Sequence, residues 1–225
     1  YLELYQKLWE IIKYPNKYKS KPLKRVRFPK PNSTELRPIS VPSYFDRAVQ
    51  HLFLMVLEVF HEEMAERNSF GFRPFRSPGW AAKAITLFIW SRKGFKPPKF
   101  AIQLDIRKCF DQISHDFVMN NVGKTIISGE EISIIHPSIL TQWLKSGYID
   151  VMETLTPKSQ TVPTLFGIPQ GGPISPTMSN MVLNGIEEVV KSIGEKPQMH
   201  QTMEIHLSPD DKIIWKYNGI PVLCT

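Results

Sequence analysis

Apolar and polar residues alternate with two different periods along this chain, and the changes of period divide it into elements. Leu2, Tyr5, Leu8, Trp9 and Ile12 recur at helical spacing and predict a short helix over residues 1–13. A loop follows as far as Pro22. From Leu23 to Pro29 the side chains alternate as in a strand, with Leu23, Arg25 and Arg27 on one face and Lys24, Val26 and Phe28 on the other. Lys30-Pro31-Asn32-Ser33 supplies turn residues, and Leu36 to Val41 reads as the returning strand. The result is a basic hairpin with Arg25, Arg27, Lys30 and Arg37 on or near its tip. Ala48, Val49, Leu52, Phe53, Val56, Leu57 and Phe60 then make the apolar stripe of a packing helix, with His51, Glu58, Glu62 and Glu63 largely outside it.

Residues 68–77 break the pattern with Gly71 and Pro74, and set Arg73 and Arg76 among Phe70, Phe72 and Phe75. A second apolar helix is predicted over residues 80–90. The Lys/Pro/Gly-rich stretch 93–99 is the predicted subdomain boundary. Residues 100–106 read as a strand in which Phe100, Ile102 and Leu104 share one face and Ala101, Gln103 and Asp105 the other, so that Asp105 projects away from the apolar side. Helices are predicted from near Ser114, over 137–146, and over 174–190, where Pro176 suits a first turn. Residues 202–207 and 212–217 read as paired strands around the turn-forming Ser208-Pro209-Asp210-Asp211.

A chain of 225 residues with 42% hydrophobic content can bury a substantial core. No apolar run approaches the ~20 residues that cross a bilayer, so no membrane association is expected. The first residues lack the charged and apolar regions of a signal peptide. Cys109 and Cys224 are too few for a disulfide framework or a zinc site, and both are read as buried thiols in a reducing compartment. Residues 1–50 hold eleven lysines and arginines against four acids, which accounts for the whole net charge of +7. Interleaved with Tyr14, Tyr18, Phe28 and Tyr44, this block suits a phosphate backbone, because neutralised phosphates release counterions and aromatic faces stack on bases. For residues 13–21 taken alone, a solvated lysine-rich surface accounts for the pattern equally well.

The most informative spacing joins Asp105, Phe110 and the block Gly167-Ile168-Pro169-Gln170-Gly171-Gly172-Pro173. A strand-borne carboxylate, an aromatic ring and a glycine-rich turn are parts of a template-directed polymerase palm. Nucleotidyl transfer requires carboxylates that hold two metal ions about 4 Å apart, and one aspartate does not supply them. A lone Asp at a strand end is otherwise a turn or cap former.

The segments 104–116 (Leu-Asp-Ile-Arg-Lys-Cys-Phe-Asp-Gln-Ile-Ser-His-Asp) and 167–176 (Gly-Ile-Pro-Gln-Gly-Gly-Pro-Ile-Ser-Pro) resemble consecutive motifs of group II intron reverse transcriptases, or maturases. Residues 25–31 with 36–39 are similar to the fingers hairpin of that family, 46–50 to the helix after it, and 68–77 to the next fingers motif. The resemblance covers about residues 22–190 in order and spacing.

It implies an α+β fold: reverse-transcriptase-like fingers and an incomplete palm, with a short antiparallel sheet packed on helices. Residues 1–99 are the expected basic N-terminal segment and fingers, and 100–225 the partial palm, with 191–220 a hairpin insertion. By resemblance Asp105 is the candidate catalytic residue and metal ligand, with Mg²⁺ as cofactor if the chain is active. Lys30 and Arg37 are expected to grip a triphosphate, Phe110 to lie beneath the sugar, and Gln170, Gly171 and Gly172 to lie against nucleotide and template. RNA contacts are expected from Lys17, Lys19, Lys21, Lys24, Arg25, Arg27, Lys30, Arg47, Arg73 and Arg76. For Arg73 and Arg76, supporting the template path and bracing the fingers both stand open.

The family's aromatic-Ala-Asp-Asp hairpin, with the remaining two metal ligands, is not found before Thr225. Asp210-Asp211 reads as a solvated turn. Two accounts follow: an RNA-binding maturase-like protein without activity as this chain alone, or a piece of an active RNA-dependent DNA polymerase completed elsewhere. The expected partners are structured RNA, such as an intron, and protein subunits of a ribonucleoprotein or a chain that completes the palm. The expected setting is a mitochondrion or plastid, with the bacterial cytoplasm as the alternative.

Overall fold

The computed structural model describes residues 1–29, 34, 36–89, 103, 105–151, 160–194, 203–207, 213–217 and 220–222. Helix α1 (Leu2–Lys13) leads through a 3₁₀ turn (Pro15–Lys17) to the hairpin of β1 (Leu23–Pro29) and β2 (Leu36–Val41). Helices α2 (Tyr44–Met64) and α3 (Pro78–Ile89) follow, then α4 (Cys109–Gln112) and α5 (His115–Asn121). A second hairpin, β3 (Lys124–Ile127) and β4 (Glu130–Ser133), precedes α6 (Pro137–Leu144), β5 (Tyr148–Asp150) and α7 (Ser175–Leu183). These elements belong to one compact unit, residues 1–184. A second unit, residues 185–225, contains α8 (Ile186–Gly194) and the sheet β6 (Met203–Leu207), β7 (Ile213–Tyr217) and β8 (Ile220–Val222).

Helix starts follow local chemistry. The Ser43 side chain accepts from the Asp46 N–H at the start of α2, and Ser114 accepts from Phe117 N–H at the start of α5. Each cap satisfies one backbone donor that the helix leaves free. The core gathers Val49 and Leu57 of α2, Val118 of α5, Ile139, Leu140, Trp143 and Leu144 of α6, and Ile174 and Met178 at the start of α7. Leu57, Ile139 and Leu140 are almost wholly shielded, and truncating any one to Ala costs about 2–5 kcal/mol. Phe53 meets Trp143 edge to face at 5.8 Å, which fixes α2 against α6.

The architecture is α+β, with short sheets beside helices, as the sequence implies. The hairpin forms over the expected strands, with Val26 opposite Ile39. Its sheet is larger than expected, because β5 pairs in parallel with β1 through Leu23–Tyr148 and Arg25–Asp150, giving the order β2-β1-β5. Three residues are too short a stretch to show alternation, so β5 was not predicted, and neither was the exposed β3–β4 hairpin.

The helix expected over 174–190 is two helices. Asn184 caps α7, its side chain bonding Glu66 N–H and the Met64 carbonyl, and Gly185 at φ +100° breaks the helical path before α8. The predicted strand pair at 202–207 and 212–217 forms as β6 and β7, antiparallel with Ile205 opposite Trp215. Cys109 is half-buried rather than buried. The connector 93–99, most of the strand expected at 100–106, the turn at 208–211 and Cys224 lie outside the described residues. Among the described residues no helix is long and apolar enough to cross a membrane.

Candidate nucleic-acid interface

The two motifs that the sequence singled out are clasped together. Gly167 N–H donates to the Ile113 carbonyl at 2.8 Å, Ile168 N–H donates to the Phe110 carbonyl at 2.7 Å, and His115 Nε2 lies 2.9 Å from the Gly167 carbonyl. Gly167 has φ +88°, and a Cβ there would stand 2.7 Å from the Phe110 oxygen, so only glycine fits this crossing. The far side of the turn is tied to the basic hairpin. Ser40 N–H donates to the Gln170 carbonyl at 2.6 Å, and Arg37 Nε donates to Gln170 Oε1 at 3.2 Å.

The resulting cleft is lined by Arg25, Ser40, Asp111, Phe166, Gly167 and Gln170 among others, and holds about 30 Å³. That is room for a water, not for a nucleotide. Arg25 stacks on Tyr148, its guanidinium carbon 3.3 Å from the ring centroid, and donates to Ser40 Oγ. Arg27 pairs with the buried carboxylate of Asp150. The two arginines of β1 are thus oriented by β5, with Ser40 of β2 also holding Arg25.

Other site residues fall into three groups. Asp105 is exposed and sits in the stretch leading into α4; Phe110 is half-buried and packs against the core; Gly171 is exposed and Gly172 buried at the turn. Lys17, Lys19, Lys21, Lys24, Arg37 and Arg47 are exposed, and Lys30 lies outside the described residues. Arg73, expected among the RNA contacts, is turned inward: its side chain is 2% exposed, with Nε and Nη2 donating to Glu62 and Nη1 to the Glu66 and Ser69 carbonyls. These bonds tie the 66–69 segment to α2. Arg76 remains exposed and reaches Glu62 at 3.3 Å.

Hydrogen bonds from Arg73 hold the Glu62 carboxyl below its usual range. Burial, with help from the Arg73 charge, lowers the neighbouring His61.

The lysine-rich segment is anchored from within. Asp46, buried in the first turn of α2, accepts from Tyr18 Oη at 2.7 Å, from Lys21 N–H at 3.2 Å and from Ser43 Oγ at 2.6 Å. Trp143 Nε1 donates to the same Tyr18 oxygen at 3.0 Å. Burial, reinforced by the hydrogen bond to Asp46, pushes the Tyr18 hydroxyl far above its ordinary range.

Sequence reasoning passed over Asp111, Ser40, Tyr148 and Asp150. Asp111 stands next to Phe110 and was legible as a second acid of that motif; the others act through pairings no local pattern announces.

A basic hairpin gripping a glycine-rich turn, itself locked to a carboxylate-bearing segment, defines the fingers and part of the palm of a template-directed polymerase. Residues 28–207 match the family model described as reverse transcriptase (RNA-dependent DNA polymerase), and the chain belongs to that family, in its group II intron maturase branch. It is 29% identical to the group II intron-encoded protein LtrA of Lactococcus lactis subsp. cremoris over 80% of this chain and 27% of that protein. It is 31% identical to a putative COX1/OXI3 intron 1 protein of Saccharomyces cerevisiae over 83% of this chain and 21% of that protein. Identity to protein YkfC of Escherichia coli is 33%, over 76% of this chain and 41% of that protein. The chain therefore spans less than half the length of these relatives.

Proposed function

We propose that this chain binds structured RNA through the exposed cations around the hairpin, as the fingers and partial palm of a group II intron reverse transcriptase or maturase. The observation that carries the reading is that the basic hairpin and the glycine-rich turn meet: Arg37 donates to Gln170 Oε1, and Arg25 lines the cleft beside Gln170. Lys21, Lys24 and Arg47, in and around the same hairpin in the chain, are exposed to solvent. Intron RNA, bound alone or within a ribonucleoprotein, is the proposed partner. A relative named as a mitochondrial nuclear intron maturase and the bacterial LtrA make an organelle and a bacterial cytoplasm equally suitable settings.

The proposal extends to activity: these 225 residues alone do not extend a primer. A two-metal centre needs converging carboxylates, and among the described residues no three acidic, His or Cys side chains gather to hold an ion. Asp105 is left as a single candidate ligand for Mg²⁺, which is too few donors.

The test is binding of a folded intron RNA over a range of salt. Affinity falls steeply as salt rises, and Lys24→Ala with Arg37→Ala and Arg47→Ala weakens binding to unrelated RNAs alike, because phosphate contacts carry no sequence information. Salt-insensitive binding overturns the RNA reading, and primer extension by the purified chain with Mg²⁺ overturns the inactivity.

A further inference from the structure

We propose that the hollow where α1 meets the 3₁₀ turn is a subsite for one unstacked nucleotide of a single-stranded RNA loop. This rests on the RNA-binding reading and adds to it a place and a chemistry. The hollow has a volume of about 420 Å³, within the ~300–1,000 Å³ span of small-ligand sites. Ile11 and Tyr18, both buried, lie at its base with Phe45, while Tyr14 stands in its wall with 45% of its surface open.

The charge around it selects the ligand. Lys7, Lys17 and Lys19 line the hollow against one acid among the described residues, Glu10. Lys7 is already paired with Glu3 at 2.6 Å, which leaves Lys17 and Lys19 as the cations to meet a phosphate. Lys17 Nζ lies over the Tyr14 ring, 4.5 Å from its centroid, and Lys13 Nζ at 5.4 Å; a base that stacks on Tyr14 takes the place of an exposed ammonium, which swings to the phosphate. A nucleotide has both complements: a base to stack and a phosphate to pair. An apolar peptide side chain would use the base of the hollow and leave the ammonium groups unanswered.

The hollow is also built in advance. Tyr18, at its base, is fixed through its hydroxyl to Asp46, and Lys21 N–H is fixed to the same carboxylate. Lys19-Ser20-Lys21-Pro22 runs directly from the rim into β1, so an RNA strand leaving the hollow meets the hairpin cations without a gap in the chain. Little ordering remains to be done on binding, which favours affinity.

The experiment uses the whole chain and a hairpin RNA carrying 2-aminopurine at one loop position, with a blunt duplex of the same stem as reference. Binding quenches the probe. Tyr14→Leu abolishes the quenching and weakens loop RNA binding by at least ~5-fold, leaving duplex affinity unchanged, while Tyr14→Phe keeps both. Quenching and loop affinity that survive Tyr14→Leu, in a variant whose circular dichroism matches the parent, overturn the subsite. So does adenosine 5′-monophosphate that fills the hollow more tightly than the loop RNA, which would make it a site for free nucleotide. A parent chain that binds neither RNA overturns the underlying RNA reading, a result distinguishable from the first two.

Discussion

The Ser40 N–H and the Gln170 carbonyl, 2.6 Å apart, join the fingers hairpin to the glycine-rich turn of the palm. The adjoining Gly171 has φ +124°, and a Cβ there would stand 2.8 Å from the Ser40 oxygen. Gly171→Ala therefore combines an unfavourable backbone conformation with a clash against main chain, and costs about 1–3 kcal/mol or more in urea unfolding. Gly129, at φ +85° with nothing within 4 Å, supplies the control: Gly129→Ala bears the conformational part alone. Equal losses for the two variants would show that the approach to Ser40 does not constrain the turn.

Tyr18 and Asp46 form the second testable joint. Tyr18→Phe removes a donor to a buried carboxylate and the acceptor for Trp143 Nε1, and lowers stability by about 1.5–3 kcal/mol. A cycle with Asp46→Asn yields a coupling energy above about 0.5 kcal/mol. Strict additivity in chemical denaturation would separate the two residues energetically despite their contact.

Arg73 is predicted to matter for stability and not for RNA. Arg73→Ala removes both guanidinium bonds to Glu62, leaving it Arg76, and takes a donor from the Glu66 and Ser69 carbonyls, at a cost of about 1–3 kcal/mol. Arg73→Lys fails to rescue it, because one ammonium cannot span three directions that the guanidinium fork serves. Below the variant's melting temperature the salt dependence of RNA binding matches the parent. A shallower salt slope with unchanged stability would return Arg73 to the RNA face.

The same cluster predicts the response to acid. His61 and Glu62 both have folded pKa values below their ordinary 6.5 and 4.5. For either group, the stabilisation is complete above the ordinary value and declines as pH falls from there toward the folded value. Urea midpoints therefore drop first below about pH 6.5, from His61, and again below about 4.5, from Glu62. His61→Leu removes the upper decline and spares the lower. A His61→Leu profile that overlays the parent's would assign the upper decline elsewhere.

Much of this was legible before any coordinates. The alternation of Leu23, Arg25 and Arg27 against Lys24, Val26 and Phe28 announces β1, and the stripe from Val49 to Phe60 announces α2, because each period is written in consecutive residues. The split at Gly185 was hidden, since the apolar period continues through it and only Asn184's bonds to Met64 and Glu66 reveal a helix end. Arg73 and Arg76 look alike in sequence, three positions apart in one aromatic loop. Burial against Glu62 separates their environments, and burial is a property of the tertiary fold.

The pairing of β5 with β1 has a consequence for how this protein can be shortened or divided. A two-stranded ribbon is marginal in water by itself, and here Tyr148 and Asp150 also hold the two arginines of β1. Cutting the polypeptide anywhere between residues 42 and 147 would leave the hairpin on one fragment and its third strand on the other. The charged finger would then lose its aim unless the fragments reassociated.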